Sequence, residues 1–164
     1  SLAAAKAIAL SNNIPLYSVS CFDAIAGRVT ANTTLSKTDL LLIAIESKRK
    51  ELYLECLNKD GVKIIESQSL SVPDIITQLA RLYQPGETVR IAGDAGSSLV
   101  KEIEKLIKPN GKSFTEDFRG VDALDITNTE NFWKLFEYSE NRDYSHQVNL
   151  QYLRKPDISI PKKQ

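Results

Sequence analysis

The sequence has few of the residues from which metal sites and serine-hydrolase sites are built. Its 164 residues include one histidine and two cysteines, whereas a structural zinc site needs four cysteine or histidine ligands. His146 lies in the polar stretch NRDYSHQ, and the chain has no GxSxG motif that would mark a nucleophilic serine. The sequence therefore predicts no metal site and no Ser-His catalysis. Cys21 and Cys56 lack a CxxC spacing, and we expect both to be reduced thiols in the core.

The sequence also lacks an excess of charge and any long apolar run. Its 21 basic and 21 acidic residues give a formal net charge of zero, and it shows only a short basic end, Lys162-Lys163. Proteins that bind nucleic acid alone usually carry a basic excess or a basic face, so we expect any RNA contact to require a partner. No apolar run approaches the roughly 20 residues that span a bilayer, and the first residues do not resemble a signal peptide. We therefore expect a cytoplasmic protein without membrane contact.

The strongest structural signal is the stretch Asp39 to Leu57, DLLLIAIESKRKELYLECL. Its first half is an apolar run of strand length, which is typical of a strand buried on both faces. Residues 46–50 are charged or polar and predict a turn. The returning strand alternates between two sets of residues that face opposite sides of a sheet: Leu52, Leu54 and Cys56 on one side, and Tyr53, Glu55 and Leu57 on the other.

Periodicity, capping residues and turn residues predict the remaining elements. They are a helix over 2–11, a short strand over 16–20, a helix capped by Ser20 with Asp23, a polar loop over 30–38, a turn at 58–61, a strand over 62–66, a helix from Ser71-Val72-Pro73-Asp74, a strand over 88–92, a helix over 97–108, a helix from Thr127 and an extended piece over 150–154. The expected buried stripes of the helices are Phe22, Ile25, Ala26 and Val29; Ile75, Ile76, Leu79 and Leu82; Leu99, Val100, Ile103, Leu106 and Ile107; and Phe132, Leu135 and Phe136.

This order of elements indicates the fold class. Three antiparallel strands, followed by helix, strand and further helices, predict an α/β (α+β) sandwich with a mixed sheet. The ribonuclease H-like half of an actin-type fold has that arrangement. We expect a single domain over residues 1–154 and a flexible tail over residues 155–164.

Two loops are candidates for binding. Gly93-Asp94-Ala95-Gly96 follows a strand and precedes a helix, so the backbone at Gly93 and Gly96 is a candidate phosphate or nucleotide site. Tight strand-to-helix turns need glycine for packing as well, and both interpretations stand. The turn Lys48-Arg49-Lys50 is either an anion or RNA contact or a charged hairpin tip that aids solubility.

The acidic pairs offer no catalytic site. Asp39 with Glu46, and Glu116 with Asp117, flank predicted elements in the way that solvated ends do, and nothing in the spacing places them across a cleft. Composition and spacing alone therefore support no catalytic residue.

Three segments, in the same order along the chain, resemble the motifs of one family. ALSNNIPLYSVS (9–20), with Ala24-Ile25-Ala26, is similar to that family's GLAL…lPviGVStLealA; IAIESKRKELY (43–53) is similar to aiDARrgEVY; and QYLRKP (151–156) is similar to the terminal PvYLR. The family is TsaB, also called YeaZ, a glycoprotease-like member of the actin-type ATPase superfamily. The resemblance implies that residues 1–154 form the C-terminal, ribonuclease H-like lobe of such a protein.

The resemblance also implies a function. Members of the family are accessory proteins of the machinery that makes threonylcarbamoyladenosine (t6A) on transfer RNA, and they scaffold the catalytic TsaD subunit. It implies a non-catalytic protein without a cofactor, with a TsaE-like ATPase and a second copy as further partners, and with tRNA bound only through the complex. The alternative is a hydrolase or ATPase of the glycoprotease (peptidase M22-like) group, with nucleotide near Gly93 and Gly96.

Partner contacts in this family are implied to use helices of the N-terminal lobe. The first helix of this chain would be the remnant of one of them, which makes its outer face a candidate partner surface or, equally, a face that packs within the same lobe. The candidate partner-binding residues are Leu2, Ala3, Lys6, Ala7 and Leu10.

The chain departs from the family pattern at several residues and lacks one section of it. Glu46-Ser47-Lys48 stands in place of Asp-Ala-Arg, Lys50 in place of a small turn residue, and Gln151 in place of proline. The family's IDTS strand and its glycine-rich GPGSFTGlR segment are missing, residue 1 already lies in an uncapped helical pattern, and the chain has no methionine. We therefore expect this to be the C-terminal portion of a longer protein.

Overall fold

The computed structural model of the chain describes residues 2–16, 18–32, 34–35, 39–82, 88–107, 119–120 and 153. The elements, in chain order, are α1 (Leu2–Ser11), α2 (Cys21–Asn32), β1 (Asp39–Glu46), β2 (Glu51–Asn58), β3 (Lys63–Ser71), α3 (Val72–Leu82), β4 (Thr88–Ala92), α4 (Gly96–Ile107) and β5 (Arg119–Gly120). Several predicted features lie outside the described residues: the helix from Thr127 with its apolar stripe, Glu116 with Asp117, His146, the side chains of Leu106 and Ile107, and the tail over 155–164.

The described strands form one mixed sheet in the order β3-β2-β1-β4-β5. The hairpin β1–β2 and the pair β2–β3 are antiparallel, whereas β4 lies parallel to β1 on its other side. Because β4 returns to the centre of the sheet through α3, the chain builds a mixed sheet flanked by helices. The predicted fold class is confirmed, and the architecture is that of an actin-type, ribonuclease H-like lobe.

Strand β1 is the centre of this sheet and is buried on both faces, as its apolar run predicts. Its even-numbered residues, including Leu42, join the core cluster under α3 and α4, and its odd-numbered residues, including Leu41 and Ile43, join the cluster under α2. The two faces of β2 divide in the same way, with Leu54 and Cys56 on the α3/α4 side. The predicted alternation of successive hairpin residues between the two faces of the sheet is therefore confirmed.

The helices bury the stripes that the sequence predicts wherever their side chains are described. Phe22, Ile25, Ala26 and Val29 of α2 are buried; in α3 and α4 Ile75, Leu79, Leu99 and Ile103 are buried, with Ile76, Leu82 and Val100 packed at the margin. Helices α2, α3 and α4 therefore cover the two sides of the sheet, each through one apolar face.

Three sequence predictions about local structure are wrong. The predicted strand over 16–20 is absent among the described residues of that segment, which has strand-like alternation but no described neighbouring strand with which to pair. Strand β3 runs to Ser71, beyond the predicted end at Glu66, because its Ser- and Gln-rich second half pairs regularly with β2. Cys21 is exposed as the first residue of α2, so of the two cysteines only Cys56 is a buried thiol, and neither forms a disulfide.

Helix α1 ends in a C-terminal cap built on Asn13. The amide of Ile14 donates to the carbonyl of Ala9 at 3.0 Å and the amide of Asn13 donates to that of Leu10 at 3.3 Å. Asn13 adopts a left-handed conformation with φ of 50°, which asparagine tolerates better than most residues. These are the two bonds of a Schellman motif, so the Asn-Asn signal marks the helix end for a defined physical reason.

Helices α2 and α3 begin at serine caps. The amide of Asp23 donates to Ser20 Oγ at 3.0 Å and this hydroxyl donates to the Asp23 carboxylate at 2.8 Å. At the start of α3 the amide of Asp74 lies 3.4 Å from Ser71 Oγ, in an exposed setting. Both caps place serine and aspartate three residues apart. The sequence predicts the first as a capping box and residues 71–74 as a helix start.

We predict that Ser20→Ala lowers the free energy of unfolding by about 1 kcal/mol, the usual cost of losing a serine cap. Ser71→Ala is the matched control and should cost less, because its amide-to-hydroxyl distance is longer and water competes for the amide. Urea denaturation of the two variants measures the difference. An equal or larger loss for Ser71→Ala would contradict this ranking.

Candidate functional site

The outer face of α1 is the first candidate site. Ala9 is the only one of its residues that is buried; among the predicted partner-binding residues Leu2 is half-buried and Ala3, Lys6, Ala7 and Leu10 are exposed. At about 100° per residue, these five residues span roughly 140° of the helix surface, with Leu10 near the middle of that arc. The structure therefore brings them together on one exposed face.

The exposed apolar side chains of the described residues concentrate in and after this helix. Leu10 is 85% exposed, and Ile8 and Ile14 are 59% and 54% exposed. Single exposed aliphatic residues are ordinary, but a cluster of large ones on a single element is typical of a surface that another element or protein covers. Ile8 lies on a different side of the helix from Leu10, so the apolar surface of α1 is wider than the predicted face.

The second candidate site is the loop between β4 and α4, where the two predicted nucleotide-binding glycines lie. Gly93 has a φ of +104°, and a Cβ on it would lie 2.1 Å from the carbonyl oxygen of Ala44 in β1. The amide of Ala95 donates to that same oxygen at 3.2 Å, and the amide of Gly96 donates to the carbonyl of Gly93 at 3.0 Å. Gly93 is thus required for close packing of the loop on β1, and two amides of the loop are already engaged.

A carboxylate also occupies this loop. Asp94 Oδ1 accepts a hydrogen bond from the amide of Glu46 at 2.9 Å, which ties the loop to the end of β1. Because β1 and β4 are parallel neighbours, their carboxyl ends lie side by side. The turn after β1 therefore starts beside this loop. A bound phosphate would meet the negative charge of Asp94 there. Packing accounts for Gly93, whereas a Cβ on Gly96 would make only an ordinary contact. Nucleotide binding at Gly93 and Gly96 stays a prediction.

The basic turn between β1 and β2 also lies at the carboxyl end of β1. Lys48, Arg49 and Lys50 are exposed, and Lys48 adopts a left-handed conformation with φ of 58°. The Ser47 hydroxyl donates to the carbonyl of Glu51 and closes the turn. Its geometry is that of a compact hairpin tip with charged side chains in solvent.

Two acidic residues that the sequence places in strands are buried. Asp39 accepts a hydrogen bond from Arg90 Nε at 3.0 Å, across the parallel pair β1–β4, so it is not the solvated end residue that we expected. Glu55 has a relative accessibility of 0%, and its Oε2 accepts from the hydroxyl of Ser67 and lies 2.8 Å from Lys63 Nζ. A buried carboxylate is stable only when such partners compensate it.

Sequence reasoning placed Glu55 on a strand face but did not single it out. The sequence does contain a signal for its burial. Glu55 lies between Leu54 and Cys56 in an alternating strand, so its side chain shares a face with Tyr53 and Leu57. Its partners Lys63 and Ser67 come from β3, and no local pattern identifies them. Burial of Glu55 therefore required knowledge of how the strands pair.

Lys63 is charged over a wide pH range because of this contact. Burial lowers its pKa, but the hydrogen bond to Glu55 and the negative charges of Glu55, Asp23 and Glu66 raise it more, so the pKa of Lys63 lies above its ordinary value of 10.5. A lysine in this state cannot serve as a general base near neutral pH. The cluster of Glu55, Lys63 and Ser67 therefore stabilises strand pairing and does not activate the serine.

Within the part of the chain that the structure describes, no group of three or more His, Cys, Asp or Glu side chains is arranged to hold a metal ion. No helix of that part combines the length and the apolar character needed to cross a bilayer.

Comparison with known proteins identifies the class of fold. The structure is similar to the crystal structure of an uncharacterized protein with similarity to peptidase YeaZ from Pseudomonas aeruginosa, with a TM-score of 0.56 and 17% sequence identity. The match covers 90% of this chain and 63% of that chain, so this chain spans less than two thirds of its length. At this identity the likeness shows a YeaZ-like fold. No protein-family model and no curated protein matches the sequence.

We predict that Gly93→Ala lowers the free energy of unfolding by about 3 kcal/mol, because the new methyl group would overlap the Ala44 carbonyl and φ is positive. Gly96→Ala is the matched control: its Cβ would lie 3.5 Å from the nearest atom, Ile91 Cγ2, which is an ordinary contact. Urea denaturation compares the two variants. A loss below about 0.5 kcal/mol for Gly93→Ala would show that the loop does not pack as described.

We predict that Lys63→Met destabilises the fold and that the loss depends on pH. Breaking a buried ion pair typically costs about 3–5 kcal/mol, and because Lys63 is 34% exposed we expect about 1–2 kcal/mol. The folded-state pKa of Lys63 is raised, so its contribution is fully present below about 10.5 and is lost as pH rises through the folded-state pKa.

The measurement is the difference in unfolding free energy between wild type and Lys63→Met from pH 8 to pH 12. This difference isolates Lys63 from the other lysines, which titrate in both proteins. It should stay constant up to about pH 10 and then shrink. A difference that does not change up to pH 12 would show that the ion pair with Glu55 contributes nothing.

Proposed function

We propose that this chain acts in a YeaZ-like (TsaB-like) accessory protein that binds and scaffolds a TsaD-like catalytic subunit of the t6A tRNA-modification machinery. The observation that carries the proposal is the exposed apolar face of α1 on a YeaZ-like fold. In this proposal the protein is non-catalytic and cytoplasmic, it contacts tRNA only through the complex, and a TsaE-like ATPase and a second copy of the protein are further partners.

The composition of the α1 face suits contact with another helix. Ala3 and Ala7 are small and lie one turn apart, which allows a neighbouring helix to approach closely. Leu10 supplies a large apolar side chain at the centre of the face, and Lys6 supplies a charge within it. Interfaces commonly combine a buried apolar centre with charged groups at the rim. We therefore propose Leu2, Ala3, Lys6, Ala7 and Leu10 as partner-binding residues.

The positions of the family-like segments support the same proposal. The first segment, 9–20, spans the end of α1, its cap and the residue that caps α2; the second, 43–53, forms the β1–β2 hairpin at the centre of the sheet. Of the third segment, only Leu153 is described, and it packs against the cluster beneath α2. The first two segments thus shape the framework that presents α1, and none of the three supplies a cluster of catalytic groups among the described residues.

No specific observation favours the alternative hydrolase or ATPase function. The β4–α4 loop that would bind the nucleotide uses its amides for packing and places Asp94 where a phosphate would approach. We therefore propose the accessory function and leave the nucleotide site as a prediction from the sequence.

We predict that Ala7→Glu in the full-length protein weakens binding to the TsaD-like subunit of the same organism by at least about tenfold, because a charged side chain would be buried at the interface. Ala80→Glu is the matched control, since Ala80 is an exposed alanine on α3, away from the proposed face. Affinity co-purification followed by calorimetric titration measures both variants.

Two results would contradict the proposal. If the wild-type protein does not bind the TsaD-like subunit, and depletion leaves the t6A content of tRNA unchanged, the accessory function is wrong. If the wild type binds but Ala7→Glu and Ala80→Glu bind equally well, the function stands and the assignment of α1 as the contact surface is wrong.

A further inference from the structure

Strand β3 lies at one edge of the described sheet and pairs irregularly with β2. From Ser71 to Gln68 it follows Glu51 to Leu54 residue for residue. Between the pair Leu54↔Gln68 and the pair Leu57↔Lys63, however, β2 advances three residues whereas β3 advances five. The edge strand therefore holds two extra residues, one at each of two register shifts, as in a pair of β-bulges.

Glu55 lies at the first of these shifts and bonds to β3 near the two ends of the irregular stretch between Gln68 and Lys63. Its Oε2 accepts from the hydroxyl of Ser67 and from the Lys63 ammonium at 2.8 Å. Residues four apart in a regular strand are separated by about 13 Å. In this chain Ser67 and Lys63 bond to the same Glu55 oxygen, because the bulges bring the two residues closer together than a regular strand would.

Every hydrogen bond that the described residues make to the Glu55 side chain comes from β3. The other oxygen, Oε1, is buried and has no hydrogen-bond partner there, so the carboxylate is not tied to α2 or to β1. A buried charge of this kind is poor at adding stability but effective at selecting one arrangement over another, because any arrangement that removes its partners leaves it uncompensated.

The competing arrangement is a regular continuation of the β2–β3 register. It would place Glu66 opposite Cys56, on the side of the α3/α4 core, and would move Lys63 to a position opposite Lys59, away from Glu55. In the observed register Ile65 faces that core and is buried, while Ile64 and Glu66 are exposed. In the regular register Ser67 would lie opposite Glu55 and could still bond to it, so the position of Ile65 and the bond from Lys63 to Glu55 are what distinguish the two registers.

We infer that Glu55 acts as a register lock: through its ion pair with Lys63 it holds the edge strand in its bulged form and so keeps that edge from pairing with a second copy of the chain. A flat edge strand is a template for a further strand, and bulges are among the devices that prevent this. The edge of this chain needs such a device, since Val62 and Ile64 are exposed and apolar.

The test replaces the charge with an apolar side chain of similar length, Glu55→Met, and measures amide hydrogen exchange by residue together with oligomeric state. We expect exchange of amides 63–66 to accelerate by about tenfold or more relative to the amides of β1, and concentration-dependent association to appear in sedimentation. Global stability is not the readout, because removing one member of the ion pair changes it whether or not Glu55 sets the register.

The matched control is Glu51→Met. Glu51 also accepts from a serine of β3, Ser69, at 3.0 Å, but in the part of the strand where the register is regular. The Glu51→Met variant should leave both the relative exchange of amides 63–66 and the oligomeric state unchanged. If the two variants behave alike, or if Glu55→Met keeps wild-type relative exchange and association, Ile65 alone sets the register and the inference is overturned.

A second variant covers the case in which Glu55→Met does not fold. Lys63→Met removes the donor that reaches Glu55 only in the bulged register, while Ser67 still donates a hydrogen bond to the carboxylate. We expect it to accelerate exchange of amides 63–66 in the same direction by about threefold or more. Unchanged relative exchange in this variant would overturn the inference.

Discussion

The burial of β1 on both faces is the constraint on which the rest of the structure depends. A strand whose residues 39–44 are all buried must be covered on both sides and paired on both edges. The sequence meets these demands with α2 on one face, α3 and α4 on the other, and β2 and β4 at the edges. Because successive residues of β1 alternate between two cores, a slip of one position would exchange the two sets of contacts. Its register is therefore strongly specified.

The shape of the β4–α4 loop follows from this central strand. Ala44, near the end of β1, offers its carbonyl to the amide of Ala95, which brings the loop so close that only glycine fits at position 93. Asp94 then reaches the amide of Glu46, the last residue of β1. A glycine motif between a strand and a helix is ambiguous in a sequence, because phosphate binding and close packing both require it. The position of the neighbouring strand decides which requirement operates, and here close packing on β1 accounts for Gly93.

How far the sequence predicted the structure depends on whether a signal is local. The hairpin, the serine caps and the stripes of α2 and α3 were predicted because periodicity and capping involve residues within a few positions of one another. The strand over 16–20 was wrong because alternation does not show whether a partner strand exists. The second half of β3 was missed for the converse reason: its pairing with β2 overrides a Ser- and Gln-rich sequence of low strand propensity.

The same distinction applies to the candidate sites. Helical spacing predicts which residues of α1 share a face, whereas the use of that face for a partner is implied by the family resemblance and stays a prediction. The buried carboxylates were not predicted, since Glu55 meets Ser67 and Lys63 only after the strands have paired, and Asp39 meets Arg90 only across β4. Interactions between strands depend on topology, and a single sequence carries little information about them.

Helix α1 differs from the other described helices in what stabilises it. Helices of ten residues are marginal in water without packing, yet α1 buries only Ala9. Its alanine content and its Schellman cap at Asn13 favour the helical state, but both are small contributions beside the burial of an apolar stripe. A surface that covers Leu10 would supply the missing burial. Whether that surface belongs to another part of the same protein or to a partner, its contact would order α1 and bury the apolar face in one step, and binding at this helix would therefore be coupled to its stability.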